Sequence, residues 1–143
     1  MRLVLLDLKH QDAAKFPIVL CPCLAMADSC TVLQGFVSHG NVPKVQSVEA
    51  HWSVSHVLGA GLSEDCFWRF SFRSDFAHNL FERLQKEMRA CSVGPLTVET
   101  TGVNHPDSFD QTTGELRGVS ISLSLKDKGG LSETLVVLRR QLP

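Results

Sequence analysis

The sequence predicts an α+β fold: an antiparallel sheet of about six to eight strands with one principal amphipathic helix packed on one face. Apolar residues with helical spacing run over residues 74–91, segments of alternating polarity precede and follow them, and Gly, Pro and Asn separate these elements. The chain has 143 residues and no linker-like or repetitive tract, so a single domain, 1–143, is predicted.

Composition and charge favour a soluble globular protein. The apolar fraction of 43% and the charged fraction of 20% are ordinary for a folded domain, and no apolar run is long enough to span a bilayer. The net charge of −1 lacks the basic excess that general nucleic-acid binding requires, so no nucleic-acid partner is expected. Weak charge repulsion suits a subunit of a homo- or hetero-oligomer, so a protein partner is expected instead.

The five cysteines lack the regular spacing of a secreted disulfide framework. Free thiols in a reducing intracellular compartment, most simply the cytoplasm, are therefore expected. The run from Phe16 to Leu24 has the hydropathy of a secretory signal segment, but Pro17 and Pro22 interrupt it and acidic residues precede it. We expect it to belong to the fold.

Three strands and a turn are predicted in the first forty-odd residues. The strands cover Arg2 to Leu8, Pro17 to Cys23 and Thr31 to Val37, where β-branched and aliphatic residues are frequent. Gly, Asn and Pro then mark a turn at 40–43.

A β-hairpin is predicted next, because apolar and polar residues alternate from Val45 to Leu58 and again from Asp65 to Arg73. If Gly59 to Ser63 forms the loop, Leu58 pairs with Glu64 and apolar residues face apolar residues. The cross-strand pairs in this register are Trp52 with Phe70, Val54 with Trp68, His56 with Cys66, and Glu49 with Arg73.

The principal helix has clear end signals. The Ser74 hydroxyl can cap the first turn, and Gly94 followed by Pro95 is typical of a helix end. The residues predicted on its buried face are Phe76, Ala77, Leu80, Phe81, Leu84, Met88 and Cys91.

A strand, a polar loop and a second hairpin are predicted after the helix. The strand is Leu96 to Val103, and the loop is Asn104 to Glu115, which is rich in Asp, Thr and Gly. Arg117 to Lys126 and Thr134 to Leu142 form the hairpin, with Lys126 opposite Glu133 or, with a four-residue loop, a register shifted by two.

Two groups of residues are candidates for chemistry. The hairpin register places His56 beside Cys66, the base and nucleophile that a thiol enzyme requires, although a buried cysteine and a rim histidine explain the same pair. Cys21, Cys23 and Cys30, with His10 or His39, offer soft ligands for zinc. Their spacing does not match the usual zinc sites, so buried thiols and no metal are expected.

Two groups are candidates for binding. On the outer face of the hairpin, His51, Ser53, Arg69 and Arg73 surround Phe67, and an aromatic ring among arginines is typical of a protein-binding hot spot. A solvated sheet face explains the same residues. In the polar loop, the candidates are His105, Asp107, Asp110 and Glu115, although turn chemistry also accounts for them.

The sequence therefore predicts a non-catalytic protein-interaction module, a subunit or assembly factor of a larger complex, with no cofactor. It contains no catalytic motif, and the polar loop and serine-rich sheet face are suited to contacts. The alternative is a small-ligand-binding domain or a small enzyme, with an apolar pocket between helix and sheet lined by Trp52, Trp68 and Phe70.

Overall fold

The computed structural model describes residues 30–45, 48–57, 59, 61–101 and 106–143. These residues form two helices and six strands, in the order α1 (Thr31–His39), β1 (Ala50–Val57), β2 (Gly61–Ser71), α2 (Asp75–Cys91), β3 (Thr97–Thr100), β4 (Phe109–Leu116), β5 (Val119–Lys128) and β6 (Glu133–Gln141). The predicted strands at Arg2 to Leu8 and Pro17 to Cys23, like the apolar run from Phe16 to Leu24, lie outside the described residues.

The six strands form one antiparallel sheet in the order β1-β2-β6-β5-β4-β3. This confirms the predicted α+β fold. The C-terminal strand β6 lies between β2 and β5, and α2 packs against β2, β4, β5 and β6 on one face of the sheet, the helix side. Within the described ranges, no helix combines the length and hydropathy needed to cross a membrane.

Helix α2 confirms the sequence prediction for residues 74–91. Ser74 Oγ accepts a hydrogen bond from the backbone N–H of Phe76 at 3.2 Å, and Asp75 places a negative charge at the positive end of the helix dipole. The buried face consists of Ala77, Leu80, Phe81, Leu84 and Met88. One member of the predicted face is wrong: Phe76 is 77% exposed, because the described residues leave a groove open beside the first turn.

Helix α1 replaces the strand predicted from Thr31 to Val37. Leu33, Phe36 and Val37 lie at i, i+3 and i+4, which puts them on one helical face, and all three are buried. The β-branched residues suggested a strand, but burial of this face decides the conformation. Gly40 ends the helix with φ +68°, and an added Cβ there would lie 3.1 Å from Arg140 Nη2.

Arg140 fastens α1 to the sheet. Its Nη1 donates to the backbone oxygens of Phe36 and Val37 at 2.9 and 2.7 Å, which are carbonyls of the last helical turn. Its Nε donates to Glu64 Oε2 at 2.8 Å on the neighbouring strand, where the two residues are direct cross-strand partners. One guanidinium therefore joins β6, β2 and the end of α1.

Strand β4 lies where the sequence predicted a loop from Asn104 to Glu115, so that prediction is wrong for most of its length. Phe109–Leu116 pairs with β3 on one side and β5 on the other, which satisfies its backbone despite the many polar side chains. Gly114 is needed for close packing and not for a turn, because an added Cβ would lie 2.5 Å from Leu96 Cδ2 and 2.8 Å from Ser92 Oγ.

The first hairpin forms, but its register differs from the prediction by four positions. Val57 pairs with Gly61, so the loop is only three residues long, and Gly59 and Gly61 have φ angles of +83° and +82° that permit the sharp reversal. The observed pairs are Ala50 with Trp68, Trp52 with Cys66, Val54 with Glu64, and His56 with Leu62. An even shift preserves the faces of the strands, which is why the alternation of polarity could not reveal it.

In the second hairpin, the register is the shifted one that the sequence left open. Lys128 pairs with Glu133, and four residues form the connection. Ile121, Leu123 and Leu125 of β5 are buried as predicted.

A disulfide joins Cys30, immediately before α1, to Cys91, the last residue of α2. The expectation that all cysteines are free thiols is therefore wrong for this pair. Disulfides persist mainly in oxidising compartments, so the bond does not favour the expected reducing compartment.

We predict that Arg140→Met lowers the free energy of unfolding by about 2–4 kcal/mol, because it removes the guanidinium that binds Glu64 and the Val37 carbonyl while keeping an apolar stem. The Phe36 carbonyl keeps the hydrogen bond that it accepts from the backbone N–H of Gly40 at 2.9 Å. Chemical denaturation measures the change. The matched control is Arg117→Met, since Arg117 is exposed and donates a hydrogen bond to Gln34 at 3.3 Å. Equal losses in the two variants would contradict this role for Arg140.

We predict that replacing both Cys30 and Cys91 with Ser destabilises the chain by about 4 kcal/mol, because the bond closes a loop of 61 residues. A reductant should lower the Tm of the parent chain towards that of the double variant and leave the variant unchanged. A Tm of the parent chain that does not respond to complete reduction would contradict the prediction.

Candidate functional site

An apolar groove of about 970 Å³ opens on the helix side of the sheet. It lies between Lys44, Val45 and Val48 on one side and the end of β2 and the N-terminal half of α2 on the other, and we call it the helix–sheet groove. Its main lining residues are Val45, Val48, Phe70, Phe76, Leu80 and Arg83.

The fold positions each wall of this groove. Phe76, Leu80 and Arg83 recur at i, i+4 and i+7 along α2, so they lie on one side of the helix. Phe70 comes from β2, and its cross-strand partner on the central strand β6 is Thr134. Val45 and Val48 pack partly against the core and follow α1 in the chain, so the fastening of α1 by Arg140 also positions this wall.

A smaller cavity of about 440 Å³ adjoins the groove and shares Lys44, Val45 and Val48 with it. Trp68 contributes to its lining and is fully buried. The indole Nε1–H of Trp68 has no hydrogen-bond acceptor among the described residues. An unsatisfied buried donor costs about 1–3 kcal/mol, so an acceptor that reached this indole would be favoured.

The rim of the groove is basic. Lys44 and Arg83 both line it and both are exposed, whereas none of the described lining residues is Asp or Glu. Asn79 adds a neutral polar group on the same rim. An apolar interior with a basic rim favours a ligand that combines apolar groups with a negative charge.

Three of the predicted binding residues come together on the outer face, opposite α2. His51 and Phe67 are direct cross-strand partners, and their rings stack with centroids 5.3 Å apart. The guanidinium carbon of Arg69 lies 5.7 Å from the Phe67 centroid, a cation–π distance. Arg69 also forms an ion pair with Glu133 at 3.4 Å, so part of its charge is already compensated.

Arg73, which was also predicted to belong to the outer cluster, makes contacts that stabilise the fold. Its Nε donates to Asp127 Oδ2 at 3.2 Å, and its backbone N–H donates to Thr134 Oγ1 at 2.7 Å. Burial would raise the pKa of Asp127, but hydrogen bonds from Thr134, Ser108 and Arg73 lower it below its ordinary value. These contacts hold the turn after β2 against β5 and β6.

The candidates from the polar loop do not form one cluster. Asp107 Oδ1 accepts a hydrogen bond from the backbone N–H of Gly129 at 3.0 Å, as turn residues often do. Asp110 lies within β4 and accepts from Thr100 Oγ1. Glu115 also lies within β4, and His105 is outside the described residues.

A polar cavity of about 250 Å³ lies next to this turn, lined by Asp107, Lys126 and Lys128 among others. The pKa of Lys126 is lowered by burial and by the positive charge of Arg139. Gln111 also lines this cavity. Asp110 is the preceding residue of β4, so its side chain points to the opposite face of the sheet.

The structure separates the two members of the proposed thiol site. Cys66 pairs with Trp52 and His56 pairs with Leu62, so the register that placed His56 beside Cys66 is wrong. Cys66 is fully buried, and burial raises the pKa of its thiol to about 12. A thiol with such a pKa is almost entirely protonated at neutral pH and is a poor nucleophile.

The proposed zinc ligands are also not available together. Cys30 is bonded to Cys91, and Cys21 and Cys23 lie outside the described residues. In the part of the chain that the structure describes, no group of three or more His, Cys, Asp or Glu residues could hold a metal ion.

Comparison with known proteins gives little further information. No model of a known protein family matches the chain, and no curated protein matches it. The chain is similar to the crystal structure of CalU16 from Micromonospora echinospora, with 11% sequence identity, 66% of this chain and 68% of that chain covered, and a TM-score of 0.30. A similarity at this level carries no conclusion about function.

Sequence reasoning found part of the helix–sheet groove. Of the three residues predicted to line an apolar pocket, Phe70 and Trp68 line the two cavities, while Trp52 stacks on Phe36 at a centroid distance of 6.0 Å. Lys44 and Arg83 were not predicted, since nothing local in the sequence indicates that they share a rim. The helical spacing of Phe76, Leu80 and Arg83 was the only available signal.

We predict that Cys66 in the folded chain reacts with iodoacetamide at least about 100-fold more slowly than in the unfolded chain at pH 8, because burial raises its pKa to about 12. The rate should rise with pH well above pH 9. Peptide mapping separates Cys66 from other thiols. His56→Ala should leave the rate unchanged, and a slower rate in that variant would restore the thiol-site hypothesis.

Proposed function

We propose that this chain is a non-catalytic protein-interaction module, and that the helix–sheet groove receives an apolar segment of a partner polypeptide that carries an acidic residue. The observation that carries the proposal is the groove itself, with the 77% exposed Phe76 at its edge. A folded chain rarely leaves a large aromatic side chain this exposed beside an apolar cavity unless something covers both.

The apolar surface of the groove is suited to a binding hot spot. Phe76 and Phe70 offer two aromatic rings, and aromatic residues in a water-excluding pocket dominate the energetics of many protein interfaces. A volume of about 970 Å³ accommodates several apolar side chains of a partner segment.

The basic rim supports an acidic partner segment. Lys44 and Arg83 lie on the rim, and none of the described lining residues is acidic, although Glu87 on the next turn of α2 interacts electrostatically with Arg83. Charges at an interface rim mainly increase the association rate and select the partner's charge, so an acidic residue beside the apolar anchors fits this site.

The absence of catalysis is supported by the chemistry of the described candidates. Burial keeps the Cys66 thiol protonated, and His56 lies four positions away in the cross-strand register. A chain that acts by binding requires neither group.

We predict that Phe76→Ser weakens the native complex about 30-fold, since an aromatic hot-spot side chain contributes about 2 kcal/mol or more once a partner covers it. The test isolates the full-length tagged chain with its partner from its native cells and compares retention under increasing dilution. Val98→Ser is the matched control, because Val98 is also an exposed apolar residue but lies on β3, at the far edge of the sheet.

Charge reversal provides a second arm of the same experiment. Arg83→Glu should reduce partner retention, because Arg83 lines the groove. Arg89→Glu is the control: it makes the same charge change on α2 outside the groove and should not reduce retention. A native mass equal to that of the monomer, or equal effects of Phe76→Ser and Val98→Ser, would refute the proposal.

A small-ligand-binding domain is the second candidate, and one observation favours it. Trp68 lines the smaller cavity and its Nε1–H has no acceptor among the described residues, so an apolar ligand whose carbonyl or carboxylate group reached this indole would supply the missing acceptor. The chain has two tryptophans, so Trp52→Phe leaves Trp68 as its fluorescent reporter. Saturable quenching of this reporter by dodecanoate would favour the ligand-binding candidate, and no quenching would dismiss it.

A further inference from the structure

Strand β1 forms one edge of the six-stranded sheet and carries none of the side chains that usually block edge-to-edge pairing. It pairs with β2 on one side, and among the described residues no strand pairs with its other side. Exposed edge strands offer a row of free N–H and C=O groups, and proteins usually block them with lysine, proline or short length. β1 is eight residues long, with the sequence AHWSVSHV, and contains neither lysine nor proline.

Two large apolar side chains of β1 remain exposed on the helix side. Val54 is 64% exposed and Trp52 is 43% exposed. The Phe36 ring stacks on one face of the Trp52 ring with a centroid distance of 6.0 Å. The Trp52 side chain is therefore held in place although part of it is exposed. The main strand contacts of α2 are with β2, β4, β5 and β6, and β1 is not among them.

The charges of β1 favour a second copy of the same strand. The strand has no Asp, Glu, Lys or Arg, so two copies can pair without placing like charges opposite each other. The other edge of the sheet, β3, has four residues and includes Glu99, which makes it a poorer partner. A two-fold interface brings one surface onto itself, so each copy would cover the exposed apolar pair of the other.

We propose that β1 pairs antiparallel with β1 of a second copy of this chain, with the two-fold axis at Ser53. In this register Trp52 lies opposite Val54 of the second copy, and Ser53 lies opposite Ser53. The pairing of an aromatic with a β-branched side chain is a favourable cross-strand contact. The two sheets then form one continuous sheet of twelve strands, twice the six of one chain. This interface is separate from the helix–sheet groove, so it goes beyond the proposed function.

Cross-linking of the full chain tests the register. Ser53→Cys should form a disulfide-linked homodimer under mild oxidation, because directly opposite Cα atoms lie about 4.5–5.5 Å apart, within disulfide range. Ser55→Cys is the matched control, because two copies of residue 55 would be four positions, about 13 Å, apart along the strands. Val54→Cys tests the neighbouring register centred on residue 54. Peptide mapping distinguishes these bonds from those of the native cysteines.

Sedimentation measures the interface without a cross-link. Val54→Lys should raise the dimer dissociation constant at least tenfold, because it places a charge at the centre of an apolar contact, and Val98→Lys on β3 should leave it unchanged. A monomeric parent chain at every soluble concentration would overturn the proposal, as would equal cross-linking of Ser53→Cys and Ser55→Cys. Monomers in which the outward-pointing β1 amides, those not bonded to β2, are protected from hydrogen exchange would show that another segment of the chain covers this edge, which also overturns the proposal.

Discussion

The contacts of Arg140 are the constraint on which the position of α1 depends. The guanidinium binds Glu64 across the strand pair and the last-turn carbonyls of α1, and its carbon lies 5.8 Å from the Phe36 ring centroid. The Cys30–Cys91 disulfide secures the other end of the helix. Because α1 is fixed at both ends, the segment that follows it is directed over β2, where it forms one wall of the helix–sheet groove.

The two candidate binding surfaces exist for the same reason: the helices cover only part of the helix side of the sheet. Helix α2 covers the centre of the sheet, so Trp68, Leu138 and Leu123 are fully buried. Beyond this layer, apolar side chains remain exposed: Phe76 beside the groove and Val54 on the edge strand. We propose a partner of different sequence for the first surface because its lining includes Lys44 and Arg83 and no acidic residue. The second suits a copy of itself because it carries no formal charge.

Elements that are formed by interactions between residues close in the sequence were predicted correctly, and features that depend on tertiary pairing were not. Helix α2 was predicted because capping by Ser74 and the apolar spacing of its buried face are local. The loop prediction failed at β4 because its polar and glycine residues have low strand propensity, whereas pairing with β3 and β5 stabilises the strand. The hairpin register failed by four positions because an even shift leaves the same residues on each face. α1 was misread because β-branched residues outweighed the spacing of Leu33, Phe36 and Val37.

The sequence by itself determined the α+β class, the principal helix and the alternating strands, because these depend on hydrogen bonds and periodicities within a few residues. It also identified Trp68 and Phe70 as pocket residues, since alternation places them on the helix side. Only the tertiary structure decided that Cys30 bonds to Cys91, that Cys66 and His56 are apart, and that Lys44 joins the groove. These features depend on the packing of elements that are far apart in the sequence, and the burial of each side chain depends on that packing too.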